Sequence, residues 1–127
     1  MTGFVYDTGA LIAAENNDRR VWAIHKRALE RRAAPTVPAG VLTEAWRGKS
    51  PPLARFLAGA QIEQLDADAA RAAGGLLANT GDREVEAVDA MVVEVALRYD
   101  RAVLTSNYSD IKALADSANR ALDIVSI

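Results

Sequence analysis

Four acidic residues lie far apart along the chain, and each occupies a position where a side chain can point into a shared cleft. They are Asp7, Glu44, Asp89 and Asp110. Asp7 ends a short apolar run, Asp110 follows another, and Asp89 interrupts an apolar helical segment. A buried charge is unfavourable by several kcal/mol unless a partner compensates it. Carboxylates that converge in a folded core therefore predict a cation, and ligands that are all oxygen favour Mg²⁺ or Mn²⁺.

Asp89 carries the clearest pattern of the four. Val85, Asp89, Val92, Val93 and Ala96 follow the i, i+4, i+7, i+8, i+11 series, which places the carboxylate on the apolar stripe of a helix. The helix dipole contributes only about 1 kcal/mol against a larger desolvation cost, so a metal or a buried basic partner is expected. The outward face of this helix is assigned to Glu84, Glu86 and Glu94.

The other acidic positions have simpler alternatives when each is taken alone. Asp7 before Thr8 and Gly9 can be a helix cap or a turn residue after a strand. Glu44 can be a helix residue that faces water. Arg47 and Lys49, just beyond Glu44, can contact phosphate or can simply close a helix.

Composition limits the classes of protein that this chain can belong to. Its 127 residues predict one domain over 1–127, and its hydrophobic and charged fractions, 50% and 25%, are those of a globular protein. The net charge of −2 is unlike that of proteins that coat nucleic acid, so any nucleic-acid contact should be local and catalytic. The absence of cysteine excludes thiol nucleophiles, zinc-thiolate sites and disulfides. No secretory signal or membrane span is expected, and a soluble cytoplasmic protein is predicted.

Short apolar runs and helical patterns alternate along the sequence. Extended segments are predicted at 3–6, 35–38, 61–65, 102–105 and 122–127. Helices are predicted from Thr8, from a cap at Asp18, at 39–48, at 52–58, from a cap at Asp66 or Asp68 to Leu77, at 85–99 and at 109–118, with a loop at 79–83. This order predicts an α/β domain with a mainly parallel sheet and helices on both faces. Ligands of such sheets bind at the carboxyl ends of the strands, where Asp7, Ser106 and Asn107 are expected.

Three further features have both a structural and a functional interpretation. The second helix is basic on one side, which indicates a solvated amphipathic face or an RNA-contacting patch; its basic residues are Arg19, Arg20, Lys26, Arg27, Arg31 and Arg32. His25, the only histidine, is expected to be structural or on the surface, since no nucleophile motif surrounds it. Trp22 and Trp46 can stack on bases, but apolar neighbours favour packing.

Taken together, these motifs resemble the PIN-domain nucleases, and more narrowly the VapC-like ribonuclease toxins of toxin–antitoxin pairs. Residues 5–11 are similar to the opening strand of that family with its first acidic ligand, and Glu44 corresponds to the second acidic residue. The segment 88–92 is similar to the Asp-Ala signature of the family. Residues 104–110 resemble the segment at a strand end that usually reads Thr-x-Asp, with a further Asp three residues on. One departure is that Asn107 stands where the family commonly has Asp; its amide oxygen can ligate a cation but adds no charge.

The resemblance implies a three-layer α/β/α PIN-like domain with a central sheet of about five strands. It also implies a Mg²⁺- or Mn²⁺-dependent endoribonuclease, a homodimer, and a small cognate antitoxin whose C-terminal segment blocks the cleft. The predicted metal ligands are Asp7, Glu44, Asp89, Asp110 and Asn107. The predicted substrate contacts are Thr8, Thr105, Arg47 and Lys49.

Two other functions compete with this prediction. An aspartyl phosphotransferase would use Asp7 as its nucleophile, but it would need a second Asp at the position of Gly9. A PIN-like module that has lost catalysis and only binds protein or RNA is favoured by Asn107 and disfavoured by the carboxylates retained in apolar settings.

Overall fold

The computed structural model describes residues 3–81 and 83–127, and in these residues it has five strands and seven helices. The strands are β1 (Phe4–Tyr6), β2 (Thr36–Pro38), β3 (Gln61–Glu63), β4 (Ala102–Thr105) and β5 (Ile124–Ser126). The helices are α1 (Thr8–Glu15), α2 (Arg19–Glu30), α3 (Ala39–Ala45), α4 (Pro51–Ala58), α5 (Ala67–Ala78), α6 (Ala87–Tyr99) and α7 (Tyr108–Ser117). None of the helices in these residues has the length and apolar character needed to cross a membrane.

All five strands form one parallel sheet in the order β3-β2-β1-β4-β5. Val5 at the centre of β1 pairs with Thr36 on one side and with Val103 on the other. The three residues of β1 are buried, as expected for a central strand covered on both faces. The sheet confirms the predicted α/β class, and β3 lies at one of its edges.

The helices form two groups around the sheet. Helices α1 and α4 pack together and α2 contacts α1, while α5, α6 and α7 contact one another. Right-handed crossovers place the helices that connect β1 to β2 and β2 to β3 on one face. The chain then returns from β3 to β4 on the other side of β1, so α5, α6 and α7 cover the opposite face. The result is the predicted three-layer arrangement.

Most predicted element boundaries lie within three residues of the observed ones. Asp18 and Asp66 cap α2 and α5, accepting hydrogen bonds from the amides of Val21 and Ala69. Helix α3 ends at Ala45 and not at Gly48, because the backbone at Trp46 is already extended. Helix α6 starts at Ala87, two residues later than predicted. The predicted loop 79–83 contains Asp82, which lies outside the described residues.

The lone histidine belongs to an aromatic cluster in the core. The His25 ring stacks on Phe56 at 4.0 Å between centroids, and its Nδ1 lies 2.9 Å from the Tyr6 hydroxyl. Trp22 contacts Phe56 edge-on and donates its indole N–H to the carbonyl of Ala14. The packing prediction is therefore confirmed for Trp22, but it is wrong for Trp46, which follows α3 and is exposed.

The prediction that Glu94 faces outward is wrong. Glu94 is 8% exposed, and both of its carboxylate oxygens accept hydrogen bonds from Arg98 one turn later, at 2.9 Å each. Arg98 also binds Glu63 of β3 through Nη1. The helical pattern misassigned Glu94 because a cation four residues away can compensate a carboxylate on a covered face.

Candidate active site

The carboxyl ends of β1 and β4 hold the first part of the site. Asp7 follows β1 directly, is 4% exposed and acts as the N-cap of α1, accepting a hydrogen bond from the Thr8 amide at 2.7 Å. Its other oxygen accepts a hydrogen bond from the Thr105 hydroxyl at the end of β4, at 2.6 Å. The capping interpretation of Asp7 is therefore confirmed, and the same carboxylate also bonds the end of the neighbouring strand.

Asp89 reaches the same place from the first turn of α6. It is 6% exposed, and no Lys or Arg among residues 3–81 and 83–127 forms an ion pair with it. Burial, and after it repulsion by Asp7, Asp110, Glu86 and Glu44, together raise the pKa of Asp89 to about 7. The pattern on the helix predicted this inward position correctly, and the basic partner that could have compensated it is absent from the described residues.

Asn107 and Asp110 form the side of the site that follows β4. The Asn107 amide nitrogen donates to Asp110 at 2.8 Å and to Asp89 at 3.3 Å. The other Asp110 oxygen accepts hydrogen bonds from Nε and Nη2 of Arg83, at 3.1 and 2.5 Å. The bond from Asn107 and then those from Arg83 lower the pKa of Asp110. Both Asp110 oxygens are thus engaged by protein donors, and Asn107 presents a donor to the carboxylates in place of the predicted oxygen ligand.

Glu44 closes the site from α3. The Thr8 hydroxyl donates to Glu44 at 2.5 Å, which ties α3 to the first residue of α1. Burial raises the pKa of Asp7, hydrogen bonds from Thr105 and Thr8 lower it, and the charge of Glu44 raises it again. Glu44 therefore lies close enough to Asp7 for the two charges to interact.

These side chains line one open cavity of about 740 Å³. The lining includes Thr8, a predicted substrate contact, and all five predicted metal ligands: Asp7, Glu44, Asp89, Asn107 and Asp110. The wall on the α1 side is tight, because a Cβ at Gly9 would overlap the side chain of Ser106. Glycine at this position lets the loop after β4 lie directly against the start of α1.

Solved structures with the same architecture come from bacterial toxin–antitoxin systems. The VapBC2 structure from Rickettsia felis bound to a promoter DNA fragment aligns with a TM-score of 0.75, at 16% identity over 97% of both chains. VapBC from Salmonella typhimurium, also bound to DNA, gives 0.64 at 21% identity over 99% of this chain and 98% of that one. VapC20 from Mycobacterium tuberculosis, a toxin that cleaves the sarcin-ricin loop, gives 0.60 at 21% identity over 80% and 87%.

The chain has the PIN-domain fold of VapC toxins. At these identities the likeness establishes the fold. No protein-family model matches the sequence, and no curated protein matches it either. The fold part of the resemblance is therefore confirmed by structure.

Three of the predicted substrate contacts, Thr105, Arg47 and Lys49, do not line the cavity. Thr105 is fully buried. Its hydroxyl donates a hydrogen bond to Asp7 and accepts one from the backbone N–H of Asn107, so Thr105 supports the site from within the core. Arg47 is exposed and donates to the carbonyls of Thr43 and Trp46, closing the end of α3. Neither Arg47 nor Lys49 is among the residues that line the cavity.

Arg83 also lines this cavity and was not predicted from the sequence. Its side chain is 43% exposed and forms the ion pair with Asp110 described above. It lies in the irregular stretch between α5 and α6, which has no periodicity from which a direction could be read. Its position in the sequence could have indicated that it lies near the site, because the loop that leads into the helix of Asp89 passes the carboxyl ends of the strands.

The carboxylates that line this cavity do not form a compact cluster of metal ligands in the residues that the structure describes. Among the described residues, no group of three or more Asp, Glu or His side chains is arranged to hold a metal ion. Mg²⁺ is usually bound by one or two carboxylates, with water and substrate phosphate completing an octahedron. Asp7 and Asp89 are both buried and both have raised pKa values, so they can supply the one or two carboxylates that Mg²⁺ needs.

Proposed function

We propose that this protein is an endoribonuclease that hydrolyses RNA phosphodiester bonds with the aid of Mg²⁺ or Mn²⁺. The observation that carries the proposal is Asp89, a buried carboxyl group that shares a cavity with Asp7 and has no basic partner in the described residues. Such a group must take up either a proton or a cation to be stable. The PIN fold, shared with a VapC toxin that cleaves the sarcin-ricin loop, supports the choice of RNA.

Asp7 and Asp89 would hold the cation, with Glu44 acting directly or through water. When bound, a divalent cation polarises the scissile phosphate and lowers the pKa of water, which makes hydroxide available at neutral pH. Thr105 and the Thr8 amide fix both oxygens of Asp7, so this carboxylate is positioned before substrate arrives. Asn107 orients Asp89 through its amide nitrogen, and no protein nucleophile is required.

The donor set fits Mg²⁺ or Mn²⁺ better than other ions. The cavity offers carboxylate, hydroxyl and amide groups and contains neither histidine nor cysteine. Softer ions such as Zn²⁺ prefer nitrogen and sulfur ligands. The open cavity leaves room for water and phosphate oxygens to complete the coordination.

The proposal is tested by incubating purified protein with a single-stranded RNA in Mg²⁺, in Mn²⁺ and in excess EDTA. Internal cleavage that needs the divalent ion is the expected result. Full activity in EDTA would contradict it. Carrying out the reaction in ¹⁸O-labelled water should place the label in the product phosphate, since the proposed nucleophile is water.

A PIN-like module without catalysis is the second candidate. Asn107 favours it, because the amide removes one negative charge from the site, and the Arg83 pair neutralises Asp110. Mn²⁺ separates the two functions: a ligand that binds only the folded state raises the melting temperature. A melting temperature that Mn²⁺ leaves unchanged, together with intact RNA, would favour the module.

The biological role that we propose is that of the toxin of a toxin–antitoxin pair acting in the cytoplasm. Two of the structures that share the fold are VapBC complexes, and the third is the toxin VapC20. A homodimer and a small antitoxin that blocks the cavity complete the proposal. Inspecting the reading frame just upstream, and co-expressing its product with this chain, would test the partner.

A further inference from the structure

The cavity is strongly acidic, which is unfavourable for binding RNA. Six carboxylates of the described residues line it, and RNA is a polyanion that they repel; they are Asp7, Glu44, Glu84, Glu86, Asp89 and Asp110. Arg83 is the one basic side chain among the lining residues that the structure describes. A metal ion can neutralise the charge near Asp7 and Asp89, but the far side of the cavity, at Asp110, has only this arginine.

The geometry of Arg83 leaves part of its guanidinium group available. Nε and Nη2 donate to a single oxygen of Asp110, and within the described residues Nη1 makes no hydrogen bond. The side chain is 43% exposed, and ion pairs that are open to solvent contribute little to folding. Nη1 is therefore available at a residue that lines a partly solvated cavity, while Asp110 holds the guanidinium group through Nε and Nη2.

We propose that Arg83 binds a backbone phosphate of the RNA next to the scissile bond, and that Asp110 is the positioning residue that holds it. The planar guanidinium group suits this role because it can bind a carboxylate on one side and phosphate oxygens at its end. The assignment rests on the proposed ribonuclease function. It also changes the predicted role of Asp110 from metal ligand to anchor, since both of its oxygens already accept protein hydrogen bonds.

The test is the affinity of a fluorescent single-stranded RNA for the protein, measured in EDTA by anisotropy over a series of KCl concentrations. Arg83→Gln should weaken binding about tenfold. It should also reduce the slope of log affinity against log salt by about 0.7, the value for one phosphate contact on a single strand. Arg83→Lys, which keeps the charge but loses the planar fork, should retain the slope and recover part of the affinity.

Arg71→Gln is the matched control, because Arg71 forms an exposed pair with Asp68 on α5 and is not among the lining residues. It should leave affinity and slope close to those of the wild type. Asp110→Asn should weaken RNA binding, and adding it to Arg83→Gln should weaken binding no further, as expected for two residues that act as one unit.

Three outcomes would overturn the assignment. If the wild type binds and cleaves RNA but Arg83→Gln keeps its affinity and salt slope, Arg83 contacts no phosphate, and the proposed function stands. If Arg83→Gln lowers the melting temperature but leaves RNA affinity and the salt slope unchanged, the ion pair with Asp110 only stabilises the fold. If the wild type binds no RNA in EDTA but cleaves it in Mn²⁺, the Arg83 assignment fails and the proposed function stands; if it also fails to cleave in Mn²⁺, both fail.

Discussion

At the scale of single residues, Asp89 links stability to function. A carboxyl group that titrates near 3.9 in the unfolded chain and at about 7 in the folded one makes the folded state bind more protons between these pH values. The free energy of unfolding of the metal-free protein should therefore fall as the pH rises from about 5 to 8. We expect a loss on the order of 2 kcal/mol, measured by urea unfolding in EDTA.

The substitution Asp89→Asn should reduce this pH dependence and make the metal-free protein more stable at pH 8. Asp7, whose pKa burial also raises, accounts for the part that remains. Asp68→Asn is the control, since the Asp68 side chain is 97% exposed. A variant at Asp89 that is less stable than the wild type at pH 8 would mean that the carboxylate has a stabilising partner.

Asn107 sits between two carboxylates as a hydrogen-bond donor, which makes Asn107→Asp informative. The added carboxylate removes both hydrogen bonds and increases repulsion, so the metal-free protein should be less stable at pH 8. Mn²⁺ should bind more tightly, roughly tenfold, because one more negative charge lies near the cation.

Calorimetric Mn²⁺ titration of the wild type, Asn107→Asp and Asp110→Asn measures this effect. Lower stability with unchanged Mn²⁺ affinity would place position 107 outside the coordination shell and leave Asn107 with the single task of orienting carboxylates. A large loss of affinity in Asp110→Asn alone would return Asp110 to the set of metal ligands.

At the scale of elements, the contact between α1 and the loop after β4 holds the two halves of the site together. Gly9→Ala would place a methyl group on the side chain of Ser106, and the Ser106 backbone nitrogen lies only 3.2 Å from that position. We expect Gly9→Ala to destabilise the fold by about 1 to 3 kcal/mol and to slow RNA cleavage. Thermal unfolding and single-turnover cleavage measure the two effects.

A second substitution, Ser106→Gly, removes the side-chain atoms that the added methyl group would meet. The double variant should therefore recover most of the stability that Gly9→Ala loses, as expected for residues in direct contact. If the double variant is no more stable than Gly9→Ala alone, the cost arises from the start of α1 itself and not from the contact with the loop.

Helix α6 offers a comparison between two ion pairs of equal spacing. Glu94 on α6, with its side chain 9% exposed, pairs with Arg98, which is 37% exposed, whereas Lys112 and Asp116 form a pair on α7 in which both side chains are exposed. Glu94→Gln should destabilise the protein by about 1 to 3 kcal/mol, because a covered position then loses its charge-assisted hydrogen bonds to Arg98. Asp116→Asn should change stability by less than about 0.5 kcal/mol. Equal effects in denaturant unfolding would contradict this account of α6.

At the scale of the whole molecule, the parts of the fold that follow from local pattern were predictable. Apolar runs, a segment bracketed by prolines and an alternation of polar and apolar residues predicted the five strands, and the caps at Asp18 and Asp66 marked two helix starts. The inward direction of Asp89 followed from helical spacing. The partners of Arg83 and Glu94 did not follow, because they depend on how a loop and a helix meet the rest of the chain. The full burial of Thr105 likewise needed the neighbours of β4 in the sheet.

We propose that the carboxylates around Asp89 make this PIN fold a metal-dependent ribonuclease, and Asp89 is the residue through which this can be tested. The most direct test is the single-turnover rate of internal RNA cleavage in Mn²⁺ by the wild type and by Asp89→Asn, purified in parallel. Because the variant is expected to be at least as stable as the wild type, misfolding cannot account for a loss of activity. We predict that the wild type cleaves and that the variant is slower by about 10³-fold or more. Equal rates for the two proteins, or a wild-type rate that persists in EDTA, would contradict the claim.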